Sequence, residues 1–175
     1  DFYLFRTNIG NSMTQGIEMF GEYYFPIRTA ALSIFTSTSY MDARYRDAFV
    51  RVGDDNVSVD NNKVESVPML ISRNGINIKF HRASVSVLYS YTAESYADAL
   101  NTETPSANGS VGVVPSYGLL DVNASWSISD HVSIRLNLNN ITNEQYFTKR
   151  PQFYPGPGVW SSDGRSVNCS IALKI

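Results

Sequence analysis

The sequence has one cysteine, Cys169, and two histidines, His81 and His131. A lone thiol forbids an internal disulfide, and these few ligands cannot assemble the usual Cys/His zinc site, so no metal-ligating set is expected. Lys and Arg number 14 against 16 Asp and Glu. Without a basic excess nothing tracks a phosphate backbone, and nucleic acid is not an expected partner. No apolar run approaches the ~18 residues of a membrane-crossing helix, and no charged-then-apolar leader opens the chain. A nucleophile elbow, a Walker loop, a dinucleotide fingerprint and a His-Glu-x-x-His pair are all missing. No catalytic residue or cofactor is therefore assigned, and an enzyme is not expected. These absences leave a membrane strand open, because a strand crosses with only about 9 to 11 residues of alternating polarity. With 175 residues, 43% of them hydrophobic and 17% charged, the chain is long enough for one domain and too apolar for a disordered tail. It starts at Asp1 rather than at a methionine, and is expected to be a piece of something longer.

Alternation is what the sequence has in quantity. From His131 to Asn140, Val132, Ile134, Leu136 and Leu138 interleave with Ser133, Arg135, Asn137 and Asn139, the period of a strand with one apolar face. The last segment does the same, with Val167, Cys169, Ile171, Leu173 and Ile175 against Ser166, Asn168, Ser170, Ala172 and Lys174. Leu120, Val122, Ala124, Trp126 and Ile128 oppose Asp121, Asn123, Ser125 and Ser127; Val85, Val87, Tyr89 and Tyr91 oppose Ser84, Ser86 and Ser90, with Leu88 the exception. The pattern persists more weakly through Ile76, Ile78 and Phe80, through Leu32, Ile34, Thr36, Thr38 and Tyr40, and through Ile17, Met19, Gly21, Tyr23 and Phe25. A short run from Phe2 to Thr7 brings the expectation to eight strands.

Connections are of two kinds in alternation. Phe25-Pro26-Ile27-Arg28, Phe80-His81-Arg82 and Ser129-Asp130-His131 read as tight turns; the linkers Val50 to Asn62, Ala97 to Gly118 and Thr142 to Gly164 are long and rich in Gly, Pro, Asn and Ser. The turn between Thr7 and Ser12 is short on the loop side. An antiparallel meander of this kind puts its short turns at one end and its long loops at the other, as outer-membrane barrels do. Period two alone also fits a soluble barrel or sandwich, so the composition of the two faces has to decide. The polar face is mostly Ser and Asn with a few charges, Arg135, Asp121, Lys79, Glu18 and Glu22, and small hydroxyl and amide groups suit a wet, crowded lumen. The apolar face carries no charge in the seven long strands, as lipid requires where a Lys or Arg at mid-plane costs roughly 2 to 4 kcal/mol. Tyr23, Phe25, Phe80, Tyr91 and Trp126 fall towards strand ends, where an interfacial girdle sits. The fold class expected is all-β, an antiparallel transmembrane β-barrel or a portion of one.

The loop from Tyr146 to Trp160 gathers aromatics, the adjacent cations Lys149 and Arg150, and a stiff Pro155-Gly156-Pro157-Gly158 series. Two readings stand side by side: a preorganised surface for an anionic or aromatic ligand, and a loop packed against its neighbours over the barrel mouth. Under the first, Lys149, Arg150, Tyr154 and Trp160 are the candidate ligand-binding residues, with Arg165 at the mouth of the final strand as a secondary one, because charge-assisted pairing with a carboxylate favours cations on a rigid loop. Gly53-Asp54-Asp55-Asn56 with Asp60-Asn61-Asn62 lacks the ligand spacing of a calcium loop and reads as solvated. His81 and His131 read as turn residues.

Asn8-Ile9-Gly10-Asn11-Ser12 with Gly16-Ile17-Glu18, Ser39-Tyr40-Met41-Asp42-Ala43-Arg44-Tyr45, Tyr96-Ala97-Asp98-Ala99-Leu100-Asn101, Leu138-Asn139-Asn140-Ile141-Thr142-Asn143-Glu144-Gln145-Tyr146 and the closing Tyr154-Pro155-Gly156-Pro157-Gly158 through Asp163-Gly164-Arg165 resemble the C-terminal part of TonB-dependent outer-membrane receptors, particularly those similar to ferric dicitrate receptors. The resemblance spans almost the whole chain. It implies that residues 1–175 are a C-terminal segment, about eight strands, of a 22-stranded barrel with a plugged lumen. On the same resemblance, the N-terminal plug that contacts the TonB system is expected to lie outside this chain. It further implies the bacterial outer membrane as location, its lipid and a ferric chelate as partners, and uptake powered from the inner membrane. Barrels of this family commonly end in an aromatic residue, whereas this chain ends in Ile175. The rival expectations are a complete small eight-stranded barrel with a structural or adhesive role, and a soluble β-sandwich binding module.

Overall fold

A computed structural model describes residues 8–152 and 156–174; the strand expected over Phe2 to Thr7, the candidate Tyr154 and the terminal Ile175 lie outside the described residues. Among the described residues thirteen strands follow in chain order: β1 (Asn11–Ile27), β2 (Ala30–Arg46), β3 (Phe49–Val52), β4 (Asp55–Ser58), β5 (Leu70–Phe80), β6 (Ala83–Thr92), β7 (Ser95–Tyr96), β8 (Val113–Val114), β9 (Tyr117–Ser127), β10 (Val132–Asn139), β11 (Phe147–Lys149), β12 (Trp160–Ser161) and β13 (Ser166–Leu173). Seven form one antiparallel sheet in the order β1-β2-β5-β6-β9-β10-β13, and the rest pair two by two as β3-β4, β7-β8 and β11-β12. The sheet is an uncrossed meander and does not close on itself among the described residues.

The second and third short connections are where the sequence puts them, and the first is shifted towards the C-terminus, because Phe25, Pro26 and Ile27 stay paired in β1. Arg28 and Thr29 join β1 to β2, and His81 and Arg82 join β5 to β6. His81 takes φ 44°, a left-handed conformation common at the centre of two-residue hairpin turns. Between β9 and β10 the Ser129 hydroxyl accepts from the backbone N–H groups of His131 and Val132, each at 3.2 Å, and holds the turn closed. At the other end the three long linkers are not plain loops, as the sequence reads them: each carries one of the two-stranded ribbons.

Register decides the faces. Residues directly paired across a ladder share a face, and the pairs Phe25↔Leu32, Leu32↔Ile78, Ile78↔Val85, Val85↔Ala124, Ala124↔Leu136 and Leu136↔Cys169 run through all seven strands in one line. The apolar sets read from alternation therefore belong to a single continuous face. Its side chains stand open: Ile17, Tyr23, Ile34, Ile78, Trp126, Ile171 and Leu173 are all exposed. In β2 this face stays uncharged from Ala30 to Tyr40 and turns charged immediately beyond, with Asp42, Arg44 and Arg46; Arg44 Nε bonds Asp42 Oδ2 at 2.9 Å. The apolar face has one polar patch, and it satisfies itself: Thr36 Oγ1 donates to Asn74 Oδ1 at 2.8 Å, Asn74 Nδ2 donates to Ser72 Oγ at 3.0 Å, and the hydroxyls of Thr38 and Ser72 meet at 2.8 Å. Such closure is what an apolar solvent demands of polar groups.

Two glycines on the sheet are filled by aromatic rings. A Cβ at Gly75 would collide with the ring of Phe35, and one at Gly118 with Tyr89, so each aromatic side chain fills the space the glycine leaves and restores the contact it lacks. The buried apolar residues sit elsewhere. Ala43, Tyr45, Ala48, Val59 and Val114 all belong to the long-loop end. A single-layer sheet whose only core lies beyond one of its ends is not a sandwich: no second sheet covers either face among the described residues.

Candidate functional site

The three long linkers lock into one rim. Tyr45, Ala48 and Val59 form its buried centre, with Ile9, Val50, Val64 and Ala99 packed against them. The β3-β4 ribbon turns at Gly53, φ 62°, and Asp54, which makes the acidic stretch a hairpin tip. Behind it the chain is tied by amides. Asn101, at φ 55°, accepts from the Lys63 N–H at 2.7 Å and donates to the Lys63 carbonyl at 2.8 Å. Asn62 Nδ2 donates to the Ala99 carbonyl at 2.9 Å. One asparagine side chain thus replaces a strand neighbour and joins the first linker to the second. Tyr45, five residues above Tyr40 and clear of the apolar band, donates its hydroxyl to Glu65. Burial first, then that hydrogen bond and the carboxylate's charge, raise the phenol above its ordinary value.

Arg150 joins the second linker to the third. Its Nε donates to the Val113 carbonyl at 2.9 Å and its Nη1 to the Gly109 carbonyl at 2.8 Å, with the guanidinium 4.8 Å from the centre of the Phe147 ring. Gly109, at φ 76°, lets the two backbones approach, since a Cβ there would stand 3.3 Å from Gly158 Cα. Tyr117 and Tyr146 add a ring contact at 4.5 Å.

The Asn139 to Tyr146 stretch explains itself as a turn module. Asn140, buried at φ 48°, accepts from the Glu144 N–H at 2.9 Å and donates to the Glu144 carbonyl at 3.0 Å, while its own N–H donates to Asp121 Oδ1 at 2.7 Å. Asn143, at φ 57°, accepts from the Arg165 N–H at 3.0 Å. Asparagine tolerates the left-handed region and carries both a donor and an acceptor, which is why it recurs at these positions.

Of the sequence-predicted residues, Lys149 and Trp160 are brought together as a register pair of β11 and β12, both exposed. Arg150 lies beside them but is engaged by carbonyls. Arg165 is exposed at the foot of β13, against the Asn143 turn. A cleft of about 340 Å3 opens between the linkers, lined by Ile9, Arg51, Glu65, Asp98, Leu100 and Gln152 among others. Arg51 leans back on its own hairpin, donating to the Gly53 carbonyl and to Asp54. Among the described residues no group of three or more His, Cys, Asp and Glu side chains is arranged to hold a metal.

The polar face of the sheet carries a second set that alternation alone does not single out. Ser33, Asn77, Ser86, Asn123, Asn137 and Asn168 are paired successively, one per strand, in a single row from β2 to β13. Arg135 lies one pair along from Asn137 on the same face, opposite Ser125 and Ser170.

Comparison with known proteins agrees with this architecture. Residues 2–141 match the family model described as TonB dependent receptor-like, beta-barrel. Over 84 residues the chain is 30% identical to a probable TonB-dependent siderophore receptor, PiuA, of Acinetobacter baumannii, a stretch that is 48% of this chain and 10% of that protein. In structure it is similar to the ferric citrate transporter FecA in its unliganded form, with TM-score 0.76 and 20% identity over 93% of this chain and 24% of that one. It is likewise similar to the siderophore receptor PiuA of Acinetobacter baumannii, with TM-score 0.72 and 22% identity over 94% and 22%, and to the ferric yersiniabactin uptake receptor FyuA of Yersinia pestis, with TM-score 0.71 and 15% identity over 95% and 24%. The chain thus spans about a quarter of the length of the solved structures it resembles.

Proposed function

Because the chain belongs to the TonB-dependent receptor family, whose barrels lie in the outer membrane and serve transport rather than catalysis, we propose that it is a C-terminal wall segment of a larger barrel that takes up a ferric chelate. The observation that carries this reading is the continuous apolar face, uncharged across seven strands, its side chains exposed or half-buried throughout, and bounded by the charges of Asp42 and Arg44. Such a face is stable against lipid and aggregates in water. On this reading the opposite face lines the lumen, the short turns are periplasmic, and the three linkers form part of the extracellular vestibule. A plug supplied by another part of the receptor and the TonB system complete the machine.

The ligand is proposed to be a ferric chelate with an anionic periphery, citrate-like in chemistry. Names of structural neighbours support the ferric class, since they include a ferric citrate transporter and a ferric yersiniabactin receptor. Within the vestibule, Lys149 and Trp160 on the β11-β12 ribbon, with Arg165 below, are proposed to meet it, and Tyr154 is retained from the sequence as a candidate. Arg150 shapes the ribbon that presents them.

The test is ligand binding and energised uptake by the complete receptor carrying this segment, using radiolabelled ferric citrate and a panel of ferric siderophores. Lys149→Ala and Arg165→Ala are expected to weaken binding of anionic chelates, with the effect shrinking at high salt, whereas Arg51→Ala on a different hairpin leaves it unchanged. A receptor that neither binds nor imports any ferric chelate refutes the proposal.

A further inference from the structure

The lumen wall carries donors that the fold does not use. At one end of the Ser/Asn row the side chains close on each other: Asn77 Nδ2 donates to Ser33 Oγ at 3.2 Å, and Ser86 Oγ donates to Asn77 Oδ1 at 2.6 Å. Next to it the hydroxyls of Ser84 and Ser125 meet at 2.7 Å. At the other end, Asn123, Asn137 and Asn168 lie side by side in register, and none of their amides has a side-chain or backbone partner among the described residues. Arg135, two residues along β10 from Asn137, is equally without an ion pair or hydrogen bond among them. The nearest carboxylate on this face of β9 is Asp121, which receives the Asn140 N–H at 2.7 Å. On the polar faces of β5, β6, β9, β10 and β13, Asp121 is the one acid against Arg73, Lys79 and Arg135.

Strands lie about 4.8 Å apart, and alternate residues of a strand about 7 Å apart. The three amides therefore span roughly 10 Å across the wall, with the Arg135 guanidinium within reach of the middle one. Amide N–H groups donate, and a guanidinium donates in a planar fork that fits a carboxylate. Four donor-bearing side chains without a partner among the described residues share one patch, while beside them the Ser84 and Ser125 hydroxyls close on each other, and such a patch fits acceptor oxygens.

We propose that Arg135 with the amides of Asn123, Asn137 and Asn168 forms a carboxylate-binding step on the lumen wall, engaged by the anionic edge of the ligand during its passage and distinct from the vestibule loops. This rests on the receptor reading above and adds to it a site past the point of first capture. The other occupant with the same chemistry is an acidic side chain of the plug, and the experiment separates the two.

In the complete receptor, Arg135→Gln, Arg135→Lys and the double variant Asn123→Ala/Asn168→Ala are compared with Ser90→Ala, which lies on the same face in β6. Heat-modifiable migration checks assembly, and Arg135→Lys and the asparagine pair keep the test alive if Arg135→Gln fails to assemble. Binding of radiolabelled ferric citrate to de-energised cells reads the vestibule; energised uptake reads the passage. Expected is binding within twofold of the parent, with uptake lowered on the order of tenfold in Arg135→Gln, the usual scale for losing a charge-assisted hydrogen bond, partly restored in Arg135→Lys, and unchanged in Ser90→Ala. Uptake equal to the parent in all variants overturns the site. So does increased permeability to a bulky antibiotic in Arg135→Gln without ligand, at undiminished uptake, because that assigns the patch to the plug. A parent that imports no ferric chelate fails at the earlier step and refutes the receptor reading, and this site with it.

Discussion

Placing a lysine at position 136 gives the most direct test of which solvent each face meets. Leu136 lies half-buried on the apolar face of β10, paired with Ala124 on one side and Cys169 on the other. It lies four residues above Val132, where β10 leaves its short turn. At about 3.3 Å rise per residue and a strand tilt near 40°, that is roughly 10 Å above the base of an apolar band about 25 Å tall. Leu136 is therefore close to the mid-plane, where a lysine costs roughly 2 to 4 kcal/mol. At about 1.4 kcal/mol per factor of ten, the equilibrium between assembled and unassembled barrel shifts by about 30-fold to nearly 1000-fold. Ile171 pairs with Ile134, two residues nearer the turn, so Ile171→Lys should cost less, since the ammonium reaches the interface more easily. Asn137→Lys, one residue away but on the wet face, should assemble as the parent does. The readout is heat-modifiable migration from outer-membrane fractions, supported by urea unfolding of refolded receptor in liposomes. Equal behaviour of the three variants, or a larger defect for Asn137→Lys, would refute the assignment of the faces.

Arg150→Ala should loosen the rim by removing both carbonyl bonds to the second linker, seen as faster proteolysis within residues 97–118 and 142–164; Arg150→Lys should not restore protection, because a single ammonium lacks the two-pronged reach. Asn140→Ala should destabilise the β10 turn module by about 2 to 3 kcal/mol, through two lost amide bonds and an unfavourable backbone at φ 48°, and Asn140→Gly should recover only the backbone share, checked by urea midpoints. The Tyr45 phenol is raised in the folded rim, so its contribution is complete below the unfolded value near pH 10 and declines as pH climbs from there towards the folded value; rim proteolysis should accelerate above pH 10 in the parent, with that step missing in Tyr45→Phe. The isolated 175-residue chain should aggregate in water through its apolar face and unpaired sheet edges, and a monodisperse monomer without detergent would contradict the single-layer fold.

How far the sequence could be read follows from the range of the forces involved. Period two depends on nearest neighbours along the chain, so the two faces of β9, β10 and β13 are legible residue by residue, and the tight turns at His81 and Ser129 are legible from their shortness. The ribbons inside the long linkers are not, because what steadies them comes from far along the chain: Asn101 holds Lys63 across 38 residues, and Arg150 reaches Val113 and Gly109 across 37 and 41. Composition marks Arg150 as a cation on a stiff loop, and it is one; that its donors end on carbonyls is a tertiary fact. The amide patch illustrates the same limit on the sheet itself. Alternation puts Asn123, Arg135, Asn137 and Asn168 on the polar face under any register that slips by an even number of residues, since only odd slips exchange faces. A two-residue slip between β9 and β10 would set Asn137 against Ser125 or Asp121, and a four-residue slip in the second sense would bring Arg135 directly opposite Asp121 and neutralise it. The observed register instead sets Arg135 against Ser125 and Ser170, with the carboxylate held two pairs away on the Asn140 turn. The β9-β10 register, rather than the identity of any residue in the patch, is what keeps Arg135 from facing Asp121.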